Sequence, residues 1–275
     1  MSEIIFTMDV EDPDQDRDGS FVPPLLSVLD WLASEERIGT FFVVGELAEK
    51  YPEAVRRVHA AGHEVALHGW QHRDIKLLGE SRFRRQTERG KKLLEDISGA
   101  EVCGYRAPMF SLTAETPWAD ATLKDLGFTY SSSVLPANNP RFAYPGKPRQ
   151  LFLWPSGLVE LPAPVFGAGI EMPILGGIYF RYFPNWMVRL ARSRLGTEQV
   201  PWFYCHPYDF YWDKSFVRMR DTPLWVNLLL MGRRRFAMEK MRAFFKQYES
   251  TRTLADYVAA RTANDTAAHT VSHTA

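Results

Sequence analysis

Two cysteines, Cys103 and Cys205, are all that the 275 residues contain. So few argue against a disulfide framework and favour a reducing compartment. Net charge is missing as well, with 33 Lys+Arg against 33 Asp+Glu. A phosphate backbone needs a basic footprint to bind, so this balance speaks against nucleic acid as a partner. No apolar run approaches the roughly 18 residues of a membrane span. The longest candidate is "LWVNLLLM" at 224–231. The opening "MSEIIFTMDVEDPD" lacks a basic start and a long apolar stretch and soon turns acidic. A secretory leader is therefore not expected, and a cytoplasmic setting is. No internal repeat is visible. What remains is ordinary for a soluble globular chain: 45% apolar and 24% charged residues.

Periodicity divides most of the chain into alternating strands and helices. "EIIFTMD" (3–9), "IGTFFVVG" (38–45), "HEVALH" (63–68), "EVCGYR" (101–106) and "FTYSSS" (128–133) read as buried strands. Between them, "PPLLSVLDWLASEE" (23–36), "ELAEKYPEAVRRVHAAG", "SRFRRQTERGKKLLEDISG" and "TAETPWADATLKDLG" read as helices, several closed by glycine. Such alternation predicts parallel βα units and an incomplete (β/α) barrel. The pattern degrades over 136–184, where proline and glycine are frequent, and this stretch reads as strands and long loops over one face of a single domain. "QVPWFYCHPYDF" (199–210) predicts one more buried strand ending in a polar turn. "RRRFAMEKMRAFFKQY" and "TLADYVAAR" predict the last helices. The domain is expected over 1–260, and the small polar residues 261–275 read as a disordered tail.

Four stretches put polar groups at or just past the C-terminal end of a predicted strand, where parallel α/β folds carry their sites. They are "DVED" (9–12), "HGWQH" (68–72), "YRAP" (105–108) and "CHP" (205–207). His68 and His72 are four apart, a spacing that on one helical turn lets both imidazoles reach one cation. Two nitrogens and a carboxylate make a three-ligand site for Zn²⁺ or a related divalent ion. "DVED" offers carboxylates for a metal ligand and for a base. Arg106 is placed to hold that base ionised, and His206 to protonate a leaving group. Pro108 would fix the loop that aims the Met109 N–H at an oxyanion.

Blander readings stand beside these. An H-x-x-x-H pair, an acidic loop and a His before Pro each occur without chemistry. His63 reads as structural, bonded near its strand start, and His59, His269 and His273 as surface residues. Trp154, Tyr179, Tyr208, Tyr211 and Trp212 are candidates for stacking on a sugar ring or for the core. The stretch "RMRDTPLWVNLLLMGRRRF" (218–236) sets apolar residues between arginines. It reads as a packed helix with a basic face, or as a segment touching a membrane surface or a phosphate-bearing substrate. The functional reading gains because all four polar stretches fall at equivalent strand ends.

These motifs resemble the polysaccharide deacetylases, carbohydrate esterase family 4. "TMDVED", "HGWQH" within "GHEVALHGWQH", "YRAPMFS" and "FYCHP" follow the family's order, and the likeness runs from about 3 to 258. "TFFVVGELAEKYPEAVRRVHAAGHEVALHG" is close to the family's usual wording. "GGIYFRYFP" and "CHPYDF" resemble its branch beside exopolysaccharide and glycan-assembly systems. The resemblance implies a distorted (β/α)7-type barrel, one divalent metal (Zn²⁺, or Co²⁺ or Ni²⁺), and hydrolysis of an N-acyl group on an amino sugar. It implies Asp9 as base, His68 and His72 as metal ligands, Arg106 as the residue orienting the base, and His206 as acid.

The chain departs from the family's commonest first motif, in which two aspartates are adjacent and the second binds metal. Here Asp9 is followed by Val10, Glu11 and Asp12. Strand alternation puts Asp9 and Glu11 on one face, which favours Glu11, and an early turn would favour Asp12. The expected substrate is an N-acetylated amino sugar in a glycan or on a lipid or nucleotide carrier. A deformylase, an allantoinase-like cyclic-amide hydrolase, or a non-catalytic glycan-binding member are the alternatives on the same fold.

Overall fold

The computed structural model describes residues 2–12, 19–138, 143–167, 171–196, 199–210 and 224–272, with side chains through 263. Its strands are β1 (Ser2–Glu3), β2 (Ile5–Val10), β3 (Gly39–Val43), β4 (Glu64–Leu67), β5 (Gly104–Tyr105), β6 (Tyr130–Ser131), β7 (Phe152–Leu153), β8 (Val159–Glu160), β9 (Trp202–Cys205) and β10 (Tyr248–Glu249). Its helices are α1 (Val22–Ser34), α2 (Gly45–Lys50), α3 (Pro52–Ala60), α4 (Ile75–Leu78), α5 (Glu80–Ser98), α6 (Ala119–Asp125), α7 (Gly177–Tyr182), α8 (Asn185–Arg194), α9 (Leu224–Met231), α10 (Ala237–Phe245) and α11 (Leu254–Ser272).

One eight-stranded sheet runs in the order β7-β8-β6-β5-β4-β3-β2-β9. All its pairs are parallel except the β7–β8 edge. Among the described residues its ends, β7 and β9, do not pair, so the barrel stays open. β1 and β10 form a separate parallel pair at the opposite end.

Sequence explains the layers. Alternate residues of each strand point to opposite faces. Phe6, Met8, Val10, Phe41, Val43, Val65 and Leu67 pack outward against the helical layer. Ile5, Phe42, Ala66, Tyr130, Trp202 and Tyr204 form an inner cluster with Leu254 and Tyr257 of α11. α5 turns Phe83, Thr87, Gly90 and Leu94 inward, a helical stripe on an otherwise charged segment. A side-chain carbon at Gly90 would sit 2.7 Å from Leu67 Cδ1, so glycine sets the distance from α5 to the sheet. The predicted helix over 46–62 is broken at Tyr51, because the residue before Pro52 is pushed out of helical geometry.

Register places the site. Val10 pairs with Val43, Val43 with Leu67, Leu67 with Tyr105, and Tyr105 with Ser131. Glu11, His68, Arg106 and Ser132 therefore each lie one residue past the same row. On the other side Met8 pairs with Cys205, so His206 emerges beside Asp9.

Several details differ from the sequence reading. α11 runs through Ser272, although the composition of 261–275 predicts no helix; among its described side chains the last buried one is Val258. Residues 273–275, with His273, lie outside the described residues, as do Tyr211, Trp212, residues 218–223 and the side chain of His269. Trp154 is a core residue whose Nε1 donates to Glu160 at 3.1 Å. His59 is exposed. His63 is buried against Phe41, ring centroids 5.0 Å apart, but neither ring nitrogen has a hydrogen-bond partner among the described residues. The bond expected near its strand start is not made.

Burial lowers the His63 pKa to about 4. The folded state then binds the proton more weakly than the unfolded chain, so this site's contribution is fully present above pH 6.5 and is lost as pH falls toward 4. The loss is about 2 kcal/mol at pH 5. His63→Leu should keep more of its pH 7 stability at pH 5 than the parent does, measured by urea unfolding at both values. An equal loss in both proteins would exclude the effect.

Candidate metal centre and active site

Asp9 and Glu11 leave β2 on its inner face and are 4% and 6% exposed. His68 is the first residue past β4, and its Nδ1 lies 2.9 Å from the Arg106 carbonyl oxygen. A carbonyl only accepts, so Nδ1 carries the proton and Nε2 presents its lone pair. That Nε2 faces Glu11 Oε2 at 3.4 Å and Asp9 Oδ2 at 3.9 Å.

His72 arrives differently from the sequence reading. Residues 68–72 form a loop rather than a helical turn, bent by positive φ at Gly69 (70°) and at His72 itself (49°). The loop still brings the two rings to 5.1 Å between centroids, and His72 Nε2 is in close contact with Glu11 Oε2. One ligand atom from each of Glu11, His68 and His72 lies within 4.8 Å of the others. Asp12 stays outside this group and accepts from Ser20 Oγ at 3.4 Å.

The cluster fits a divalent cation. Glu11 Oε2 is buried, yet it accepts no well-aligned hydrogen bond among the described residues while two imidazoles converge on it. Two nitrogens and one carboxylate oxygen suit Zn²⁺ and leave coordination positions open. Burial opposes the charged form of Glu11, but His72 and His68 outweigh it and hold this carboxyl well below the usual range.

Arg106 is fully buried, and its guanidinium lies between the rings of Phe42 (3.9 Å) and Trp202 (4.3 Å). Nη1 donates to Asp9 Oδ1 at 2.6 Å and to Thr7 Oγ1 at 2.9 Å; Nη2 donates to Ser132 Oγ at 3.1 Å. Asp9 is thereby fixed through one oxygen, leaving Oδ2 turned toward His68. Behind Arg106, Glu160 receives the N–H groups of Ser133 (2.7 Å) and Val134 (2.9 Å), and Ser133 Oγ receives the Ala107 N–H. Burial raises the Glu160 pKa despite these bonds. Past Ala107, Met109 and Phe110 both hold positive φ (57° and 53°) after Pro108. The Met109 N–H has no acceptor among the described residues.

His206 follows β9. Its Nδ1 lies 2.9 Å from Asp209 Oδ2, which also receives the His206 N–H at 2.8 Å. Arg181 Nε lies 3.0 Å from Asp209 Oδ1. Burial pulls the His206 pKa down, but Asp209, Glu11 and Asp9 outweigh it and raise it to about 9. Nε2 faces Glu11 Oε1 at 3.9 Å. Tyr208 lies flat on the His206 ring, centroids 4.6 Å apart, so that face serves the histidine rather than a sugar.

Asp9, Glu11, His68, His72, Arg106 and His206 thus come together, with Pro108, Met109 and Tyr208 at the margin. Sequence reasoning missed Asp209, Arg181, Glu160, Ser132 and Thr7. Asp209 had a signal, since "CHPYDF" puts a carboxylate three residues after the histidine on one tight turn. Arg181 had none.

An open half-barrel, parallel but for one edge pair, with a two-histidine, one-carboxylate cluster on its C-terminal rim defines the class: an α/β protein with a candidate metal site where its strands end. Residues 18–131 match the polysaccharide deacetylase family model, and 132–257 match a domain of unknown function, DUF3473. A peptidoglycan-N-acetylglucosamine deacetylase of Bacillus cereus is 31% identical over 107 residues, 39% of this chain and 36% of the relative. A chitooligosaccharide deacetylase of Sinorhizobium fredii is 39% identical over 82 residues, 30% of this chain and 38% of the relative. The chain therefore spans little more than a third of the length of these relatives. In fold, it resembles the crystal structure of a candidate polysaccharide deacetylase from Mycobacterium smegmatis, with a TM-score of 0.59 and 23% identity over 96% of this chain and 91% of the other. Over residues 18–131 the chain is thus similar to the polysaccharide deacetylase family.

The geometry predicts one Zn²⁺ per chain by titration calorimetry of metal-free protein. Glu11→Gln, His68→Ala or His72→Ala should each weaken binding by at least about 100-fold, while Asp12→Asn keeps it. If Asp12→Asn rather than Glu11→Gln lost the metal, the ligand set would be wrong.

Proposed function

We propose that this protein is a metal-dependent N-deacetylase acting on an N-acetylated amino sugar. The observation that carries the reading is the meeting, on one rim, of the Glu11–His68–His72 cluster, an Asp9 clamped by Arg106, and a His206 seated on Asp209. The named relatives act on peptidoglycan and chitooligosaccharide, which supports an N-acetylhexosamine unit as the substrate, in a glycan or on a lipid or nucleotide carrier.

Glu11, His68 and His72 would hold the divalent ion. When bound, it supplies Lewis acidity at the carbonyl and lowers the pKa of water toward neutrality. Asp9 accepts the proton of the attacking water at Oδ2, the oxygen that Arg106 leaves free. Arg106 holds the other oxygen, Oδ1, and so fixes the orientation of Asp9. The Met109 N–H donates to the carbonyl oxygen as negative charge builds on it. His206 delivers its Nε2 proton to the departing nitrogen, and Asp209 holds the other ring nitrogen so that Nε2 points inward. The products are acetate and the free amine.

The test is to incubate Zn²⁺-loaded protein with N-acetylated and N-formylated sugars that are free, polymeric, nucleotide-linked and lipid-linked, and to quantify acetate and formate. Acetate release that falls by at least about 100-fold in Asp9→Asn is expected. Formate alone would make the enzyme a deformylase, and neither acid from any substrate would overturn the reading.

Asp209→Asn removes a charge that raises the His206 pKa. The variant should lose its general acid at lower pH, so the alkaline limb of its kcat/KM profile moves to lower pH than in the parent. An unmoved limb would remove His206 from the role of acid.

A further inference from the structure

The chain is neutral as a whole, but its charge is not evenly spread. Residues 181–196 and 224–246 together hold ten Lys/Arg and a single carboxylate, Glu239. Of these cations, Arg194, Arg233, Arg235, Arg242 and Lys246 are exposed. The same region carries most of the large apolar side chains that the described surface exposes. α9 buries Asn227 and Met231 and turns Leu224 (57% exposed), Trp225 (65%), Leu228 (58%) and Leu229 (39%) to solvent. Those four fall at i, i+1, i+4 and i+5, one continuous face. A surface helix ordinarily does the reverse and buries its leucines.

Arg181 donates to the Leu230 and Gly232 carbonyl oxygens (2.6 and 2.8 Å), and the Tyr182 hydroxyl donates to Leu229 O at 3.1 Å, so the C-terminal end of α9 is tied to α7. Immediately beyond it opens a cleft of about 660 Å³ whose walls include Tyr182, Asn185, Arg233, Phe236 and Lys240. Phe236 is 60% exposed, and Trp186, one residue past Asn185, is 64% exposed. Aromatic and leucine side chains ringed by arginines, with almost no acidic groups, match the interfacial layer of an anionic bilayer: apolar groups enter the acyl boundary while guanidinium groups meet phosphate. Among the described residues no helix is long and apolar enough to cross a membrane.

We infer that the α9 face and the rim of the adjoining cationic cleft form a docking surface for an anionic phospholipid membrane, on which the protein lies peripherally. The inference stands apart from the deacetylase reading, since none of these residues is in the metal centre.

The full chain is co-sedimented with vesicles of phosphatidylcholine and of phosphatidylcholine mixed with phosphatidylglycerol. Partitioning onto the mixed vesicles should be at least tenfold stronger and should weaken with added salt. Trp225→Ser with Leu228→Ser, and separately Arg233→Glu with Arg235→Glu, should each reduce it about tenfold or more, with thermal unfolding midpoints and Zn²⁺ binding unchanged. No binding, or equal binding to both vesicle types, would overturn the inference. So would self-association in sedimentation velocity that Leu228→Ser abolishes, because a second copy would then cover the face. Binding to polyglutamate but not to vesicles would assign the face to an acidic polypeptide and overturn it equally.

Discussion

A guanidinium group with no solvent exposure organises this molecule. Arg106 lies between two aromatic faces, and its N–H groups are divided among Asp9, Thr7 and Ser132. A charge so buried persists only when it is paired and hydrogen-bonded, and removing one partner of such a pair typically costs about 3–5 kcal/mol. The partners come from four places along the sheet: Thr7 and Asp9 from β2, Phe42 from β3, Trp202 from β9, and Ser132 from just past β6. The need to satisfy one cation thus holds the rim of the half-barrel in register, and the same contacts leave one oxygen of Asp9 free and aimed at the metal cluster.

This arrangement explains why the chain is a single unit although two family models divide it near residue 131. The boundary falls inside the sheet, because β8 of the second stretch pairs with β6 of the first, and β9 of the second pairs with β2 in the segment before the first. The first stretch and the segment before it supply Glu11, His68, His72, Asp9 and Arg106. The second supplies His206, its partner Asp209, the Arg181 that faces Asp209, and the Glu160 that fixes the loop behind Arg106. Neither stretch completes the site alone.

Arg181 also shows how polar satisfaction links distant parts. Its Nε faces Asp209 beneath His206, while its two terminal nitrogens hold the last carbonyls of α9 on the outer surface. One side chain therefore serves both the rim and the exposed apolar helix. This region is strongly basic in a chain of zero net charge, so overall composition conceals it.

The sequence by itself determined the alternating strands and helices, because burial on a sheet face and on a helical stripe imposes periods of two and 3.6. It also determined which strand ends carry chemistry, since polar residues there interrupt otherwise apolar runs. Strand alternation favoured Glu11 over Asp12, and in the structure Glu11 joins His68 and His72 while Asp12 turns to Ser20. The tertiary structure decided the rest. His68 and His72 converge through a loop with two positive φ angles, which spacing alone read as a helical turn. Glu160 and Arg181 lie in a stretch without clear periodicity, and the partners that tie them to the site, Ser133 and Val134 for Glu160 and Asp209 for Arg181, are 26 or more residues away in sequence, so no local pattern marks them. The stretch 218–236 already set leucines between arginines; the tertiary structure decided that α9 turns Leu224, Trp225, Leu228 and Leu229 outward, because only packing chooses which face of a helix is buried.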